Sequence, residues 1–321
     1  MKYGSIPGVT KPVSRIAQGS IMLSRARLDE SFALLDAMFE AGINMLDTAH
    51  CYGEDNERIP GEWCASRGVR DEFIMFGKCA HPDGEGKHCN AKDITAQLYQ
   101  SLDRMGFDYI DLYVLHRDDP DVPVAEIVDC LSEHVAAGRI NAFGGSNWTY
   151  ERLKAANEYA AANGRTPFAV SSPNFSLAVA VKPMWHDCIG AQNPDQAAAR
   201  EWYKETNMAL VTWSSIARGF FSGRFTSANF EEKKHELEGC MVTAYCYPEN
   251  FTRLDRTYEL AEEKGLSVPQ IALAYVLNYP LNIFALVGAC TPDEIGANLA
   301  AVDLELTPEE MAWLDLERDD R

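Results

Sequence analysis

The chain has 321 residues, 46% of them hydrophobic, and 29 Lys+Arg against 48 Asp+Glu give a formal net charge of −19. Such a length can bury a large core, while the acidic balance argues against nucleic acid and anionic membrane as partners, because phosphate binding is driven by Lys/Arg neutralisation, so any anionic ligand needs a local site. There is no run of eighteen apolar residues and no signal-peptide segment in "MKYGSIPGVT", and nine scattered cysteines read as reduced thiols, so a cytoplasmic chain is expected.

From residue 12 onward, short apolar runs alternate with longer stretches of helical period, the pattern of a βα repeat. Strands are expected at 15–19, 45–47, 73–78, 109–116, 142–146, 169–173, 209–213 and 283–288. Between them lie helical stretches such as "DESFALLDAMFEAG", "ITAQLYQSLDRMG", "VAEIVDCLSEHVAAG" and "ERLKAANEYAAANG", each with apolar residues at three- and four-residue steps and each closed by Gly. Late in the chain, Thr291-Pro292-Asp293-Glu294 and Thr307-Pro308-Glu309-Glu310 repeat one helix-start signal: an N-cap Thr, Pro at the first helical position and Glu two residues on. No Gly/Ser tract or low-complexity run interrupts the alternation, so residues 1–321 are expected to form one domain. A doubly wound sheet would carry a Gly-rich fingerprint after its first strand, and "RIAQGSIML" is not one. Eight strands instead suit a (β/α)8 TIM barrel, an α/β fold whose catalytic face is built from the loops after the strands. The long segments 79–90, 177–195 and 218–250 would then enlarge that face.

In such a barrel the polar residues at strand ends converge. Asp47 ends the second strand with Tyr52 in its loop, Lys78 ends the third, His116 the fourth, and Ser146-Asn147 the fifth. Lys78 and His116 directly follow apolar strands, where an ionisable group is costly unless paired.

These residues resemble those of the aldo-keto reductases, in the branch of aryl-alcohol dehydrogenases and potassium-channel β subunits. "DTAHCYG" is similar to the family's D-T-A-x-x-Y-G, and Lys78, His116 and Ser146-Asn147 fall in matching units. The resemblance runs from a segment near Tyr3, similar to the hairpin that closes the barrel floor in that family, to a C-terminal helix near Trp313. It implies NAD(P)H-dependent reduction of an aldehyde or ketone, sugar-derived or aryl, to the alcohol. Asp47, Tyr52, Lys78 and His116 would be the catalytic tetrad. Hydride transfer puts charge on the carbonyl oxygen, which needs a proton donor within reach. Tyr52 would supply the proton, Lys78 would lower the phenol's pKa from about 10, Asp47 would hold Lys78 charged, and a neutral His116 would orient the carbonyl.

The same resemblance implies a nicotinamide site. Ser146 and Asn147 would hold the carboxamide and Trp213 would stack on the ring. Ser172 stands where the family commonly has Gln, which shortens or removes one contact. Ser20 belongs to the same expected site. Ser214, Ile216, Gly219, Ser222 and Arg224 would wrap the pyrophosphate. Gly288, Cys290, Glu294 and Asn298 would meet the adenosine end, where a carboxylate at 294 disfavours the 2′-phosphate of NADP(H) and suits the free hydroxyl of NAD(H); capping the helix start is its other possible role. Cys51, His81, Trp148 and Trp185 would line the substrate mouth, with His88 nearby. "CAHPDGEGKHC" invites a metal, but its spacing is not that of a zinc site and no metal is expected. A nicotinamide-binding redox sensor like the channel β subunits is the alternative function, although no segment before the hairpin resembles their inactivation segment. A metal-dependent barrel lyase is disfavoured for want of further strand-end ligands. The substrate, direction and oligomeric state stay open at this stage.

Overall fold

β1 (Tyr3–Gly4) and β2 (Val13–Ser14) form an antiparallel hairpin, and eight further strands are parallel throughout. These are β3 (Ile16–Gly19), β4 (Met45–Asp47), β5 (Ile74–Cys79), β6 (Ile110–Leu115), β7 (Ile140–Ser146), β8 (Val170–Ser172), β9 (Ala209–Thr212) and β10 (Ile283–Val287). β10 pairs with both β9 and β3, so the sheet closes on itself. The computed structural model describes all residues from 1 to 321. It gives the expected TIM barrel with the N-terminal hairpin; the helix Pro292–Asp303 after β10 completes the outer ring, and Pro308–Leu314 is an extra C-terminal helix. No helix is long and apolar enough to cross a membrane.

The strands read as continuous apolar runs because both of their faces are covered. Alternate residues point in: Met45, Ile74 and Phe76, Leu112 and Val114, Val211 and Phe284 pack with Ile6, Val9 and Val13 of the hairpin segment in an interior cluster. Their neighbours, among them Leu46, Met75, Tyr113, Phe143 and Leu210, point out into the larger core under the helices. The hairpin segment fills the floor at close quarters. Gly8 has φ +86°, and a Cβ there would stand 2.8 Å from the Asn141 carbonyl oxygen.

The four Gly-closed helices form at Leu28–Glu40, Ala91–Met105, Val124–Ala136 and Tyr150–Asn163, and Gly42, Gly106, Gly138 and Gly164 all take positive φ after them. Thr291 and Thr307 cap their helices by accepting from the Glu294 and Glu310 amides. One helix absent from the sequence reading, Glu54–Arg67, follows Tyr52 directly. Pro60 and Gly61 break its pattern. Gly61 is there for packing: a Cβ would stand 2.0 Å from the Met105 carbonyl oxygen of the neighbouring helix.

Candidate active site

At the C-terminal ends of β4 and β5, the Lys78 ammonium binds the Asp47 carboxylate and donates to the Thr48 carbonyl at 3.0 Å. Both side chains are buried, Lys78 at 4% exposure and Asp47 at 2%. Burial pushes the Asp47 carboxyl up, opposed by the charge of Lys78. Tyr52 ends a short 3-10 turn, His50–Tyr52, and keeps part of its surface open. Lys78 Nζ stands 5.3 Å from its ring centroid. His116 follows β6, its ring edge-on to Tyr52 at 5.8 Å and to His81 at 4.9 Å between centroids. Burial, then the charges of Lys78, Arg117 and His81, hold His116 well below the usual imidazole range, so the ring is neutral at pH 7. Cys51 Sγ lies 3.6 Å from His116 Nδ1. Desolvation raises that thiol to about 11, so it stays protonated beside this ring nitrogen.

The Tyr52 phenol is pushed well above its usual range, by burial first and by the negative charge of Asp47 second. Lys78 makes its polar contacts with Asp47 and Thr48 rather than with the phenol oxygen.

Neighbouring elements fix the tyrosine turn. Arg104, on the helix Ala91–Met105, donates to the His50 carbonyl at 3.3 Å and to the buried Glu57 carboxylate at 2.8 Å. The Asn56 carbonyl accepts from Thr48 Oγ1, and its amide group donates to the Ser20 carbonyl. Sequence reasoning missed Arg104, Glu57 and Asn56. Their only signal is charge and amide groups in helices whose packing partners are set by the fold.

On the far side of the mouth, Ser146 Oγ donates to the Ser172 carbonyl at 2.9 Å. Asn147, in the left-handed region at φ +58°, donates to Ser146 Oγ at 3.0 Å and accepts from the Ile189 amide at 3.2 Å. Three buried polar atoms here have no partner in the protein: Ser20 Oγ, Ser172 Oγ and Trp213 Nε1, just after or at the ends of β3, β8 and β9. Buried polar groups are almost always satisfied, so this set fits a polar ligand lying across the strand ends. Beside it is a cavity of about 390 Å³ lined by Trp213, Asn174, Met184, Cys188 and Ile189. Trp185 leans on Trp213 at 5.8 Å between centroids and is 41% exposed. Ser214 has φ 55° and Arg218 φ 51°, so the segment holding Ser214, Ile216, Gly219, Ser222 and Arg224 turns sharply. Arg224 is exposed and donates to Ser222 Oγ at 3.2 Å. Gly288 and Cys290 lie exposed after β10, Asn298 is half-buried, and Glu294 Oε2 accepts from the Cys290 amide at 2.7 Å.

Two residues expected at the mouth lie elsewhere. Trp148 is a core residue, 1% exposed and 5.1 Å from the Phe168 ring, because its indole folds behind β7 against Gly145, where a Cβ would strike it. His88 is clamped between Asp83 at 2.8 Å and Asp93 at 3.0 Å, which raises its pKa and makes it a loop fastener. The Cys79 thiol turns to the Val114 carbonyl and Cys89 to the Arg117 carbonyl, so the "CAHPDGEGKHC" side chains diverge. His81 and Cys51 do reach His116.

A sequence model of the aldo/keto reductase family matches residues 15–316. The chain belongs to that family. This aldo/keto reductase is 29% identical over 302 residues to the norsolorinic acid reductase of Emericella nidulans, covering 88% of this chain and 70% of the relative. It is 27% identical over 306 residues to the NADP(+) aryl-alcohol dehydrogenase of Phanerodontia chrysosporium, covering 89% and 75%. A solved glycerol dehydrogenase of Gluconobacter oxydans superposes with a TM-score of 0.77 at 23% identity, covering 97% of this chain and 93% of that one, which bears on the fold alone. The chain is an oxidoreductase acting at a carbonyl or alcohol group.

Proposed function

We propose that this aldo/keto reductase reduces an aldehyde or ketone with NADPH or NADH, and that Tyr52, His116, Lys78 and Asp47 form its catalytic group. A bound reduced nicotinamide would supply the hydride. The observation that carries the reading is the meeting, at one barrel mouth, of a largely buried phenol, a neutral imidazole and a paired ammonium. Tyr52 donates the proton to the carbonyl oxygen as charge develops there. His116 orients that oxygen with a hydrogen bond from its ring N–H. Lys78 and Asp47 keep the phenol's surroundings fixed and exclude water from beneath it. Ser146, Asn147, Ser172 and Ser20 hold the polar edge of the nicotinamide. Trp213 covers its ring, the segment from Ser214 to Arg224 binds the pyrophosphate, and Gly288, Cys290, Glu294 and Asn298 meet the adenosine. The three orphaned polar atoms support this assignment. Cys51, His81 and Trp185 border the substrate, and the tilted pair of Trp185 and Trp213 favours aryl carbonyls.

The test is Tyr52→Phe assayed on a panel of aryl and sugar-derived aldehydes. Turnover is expected to fall by about 10²–10⁴-fold, the usual worth of a positioned general acid, while nicotinamide fluorescence still reports cofactor binding. Wild-type kcat in the variant would remove Tyr52 from the role.

A further inference from the structure

Three Lys or Arg side chains in this protein are buried: Lys78, Arg117 and Arg253. Lys78 binds Asp47, and Arg253 lies 3.1 Å from an Asp315 carboxylate oxygen. Arg117, at 7% exposure, has no carboxylate within 4.0 Å. The adjacent acid, Asp118, is taken by Arg152 at 3.1 Å. The guanidinium's hydrogen bond within the protein runs from NH1 to the carbonyl of its chain neighbour, His116 O at 2.8 Å. A guanidinium carries five donors and cannot shed its charge. Burying one without a partner is unfavourable, and buried charges in proteins are ordinarily paired.

Its position says what the partner is for. Arg117 follows His116 in the chain, and its NH1 donates to the same His116 carbonyl that accepts from Asn147 Nδ2 at 3.4 Å, so the guanidinium is held where the ends of the fourth and fifth barrel strands meet. Asn147 in turn accepts from the amide of Ile189, which lines the cavity beside Trp213. The guanidinium thus lies beside His116 and Asn147 at the barrel mouth. A further arginine, Arg218, whose charge reaches Tyr52, is already bound to Glu238 at 2.5 Å and is exposed.

We propose that Arg117 anchors an anionic group on the substrate, and that the carbonyl compound this enzyme takes carries a carboxylate. The proposal rests on the carbonyl-reductase reading above. A carboxylate matches a single planar fork with two parallel hydrogen bonds. A phosphate dianion would want further cationic donors, and the neighbouring cations are committed to Asp47 and Glu238. In a chain of net charge −19, one buried uncompensated cation is the kind of local site an anionic ligand requires.

The test compares 2-, 3- and 4-formylbenzoate with their methyl esters as substrates of the wild type and of Arg117→Gln and Arg117→Lys. In the wild type at least one acid is expected to exceed its ester in kcat/KM by about tenfold or more, as one charge-assisted pair allows. The acid-to-ester ratio should collapse toward one in Arg117→Gln and be partly kept in Arg117→Lys, whatever happens to absolute rates. No acid preference in the wild type, or a preference that survives Arg117→Gln, overturns the proposal. A second arm needs no turnover. Benzoate and benzamide are titrated calorimetrically into cofactor-loaded wild type and Arg117→Gln, with benzoate expected to bind the wild type preferentially and to lose that preference in the variant. If no aldehyde is reduced, the reductase reading fails while this titration still decides the anion site. If Arg117→Gln weakens the cofactor as much as benzoate, Arg117 serves the cofactor and the proposal falls.

Discussion

Lys78 is bound to Asp47 and not to Tyr52. Its ammonium meets the Asp47 carboxylate and the Thr48 carbonyl at 3.0 Å, and it approaches Tyr52 no more specifically than 5.3 Å from the ring centroid. The pair is therefore a mutual obligation in a buried place. Lys78→Met should cost about 3–5 kcal/mol of stability by stranding the carboxylate, and Asp47→Asn combined with Lys78→Met should recover most of it. Burial raises the Asp47 carboxyl, and it would be raised further without Lys78, so the folded variant holds a proton the unfolded chain releases. The single variant's deficit should accordingly shrink as pH falls toward the acid range and grow as it rises. Urea unfolding at several pH values measures this, and a Lys78→Met protein as stable as wild type at neutral pH would contradict it.

The raised phenol sets a direction. Reduction needs protonated Tyr52 and oxidation needs its phenolate, and burial keeps the proton on through neutral pH. Reductive kcat/KM should be flat from about pH 6 to about pH 9 as far as this group governs it, while alcohol oxidation climbs with pH over the same range. His116, held low, adds no inflection near neutrality. Steady-state profiles in both directions check this; a reductive rate that falls off through pH 7 to 8 would assign the proton to another group.

Much of this was readable beforehand because of how barrels are built. Period-two burial on both faces makes each strand a continuous apolar run, so all eight barrel strands and the strand-end positions of Asp47, Lys78, His116 and Ser146 could be named from the chain. The helix Glu54–Arg67 was not readable, because Pro60 and Gly61 obey a close helix contact that appears only in three dimensions. Trp148 misled for the same reason: beside Gly145 an indole can fold inward, and nothing local says it does. Arg117 carries no signal in the chain, because its burial without a carboxylate partner exists only in three dimensions.

Trp213 is half-buried, with an unpartnered indole nitrogen and one face beside a cavity. Trp213→Ala should weaken nicotinamide binding by about 1–3 kcal/mol, by analogy with base–aromatic stacking, with the fold kept. Trp185→Ala should change substrate KM more than cofactor affinity, since Trp185 reaches the site over Trp213 at 5.8 Å. Cofactor titration by fluorescence quenching separates the two. Unchanged affinity in a folded Trp213→Ala would return that residue to packing alone.

Glu294 has a structural task, accepting from the Cys290 amide at 2.7 Å at a helix start capped by Thr291. It nevertheless remains exposed and charged at the position proposed for the adenosine ribose. A glutamine keeps the acceptor oxygen and the length, so Glu294→Gln isolates the charge: stability should move by no more than about 0.5 kcal/mol. If the ribose lies there, a 2′-phosphate feels the carboxylate as a like charge, and its removal should tighten NADPH relative to NADH by roughly two- to fivefold, the scale of an exposed charge pair. Salt screens such a pair, so the gain should fade as ionic strength rises toward about 1 M. A carboxylate that only caps the helix predicts a different result, a small stability loss and an unchanged ratio. Titrating both cofactors into wild type and variant at two ionic strengths decides it. A ratio that stays put would remove Glu294 from cofactor selection and leave the roles proposed for Tyr52, His116 and Lys78 untouched, because they sit at the other end of the site.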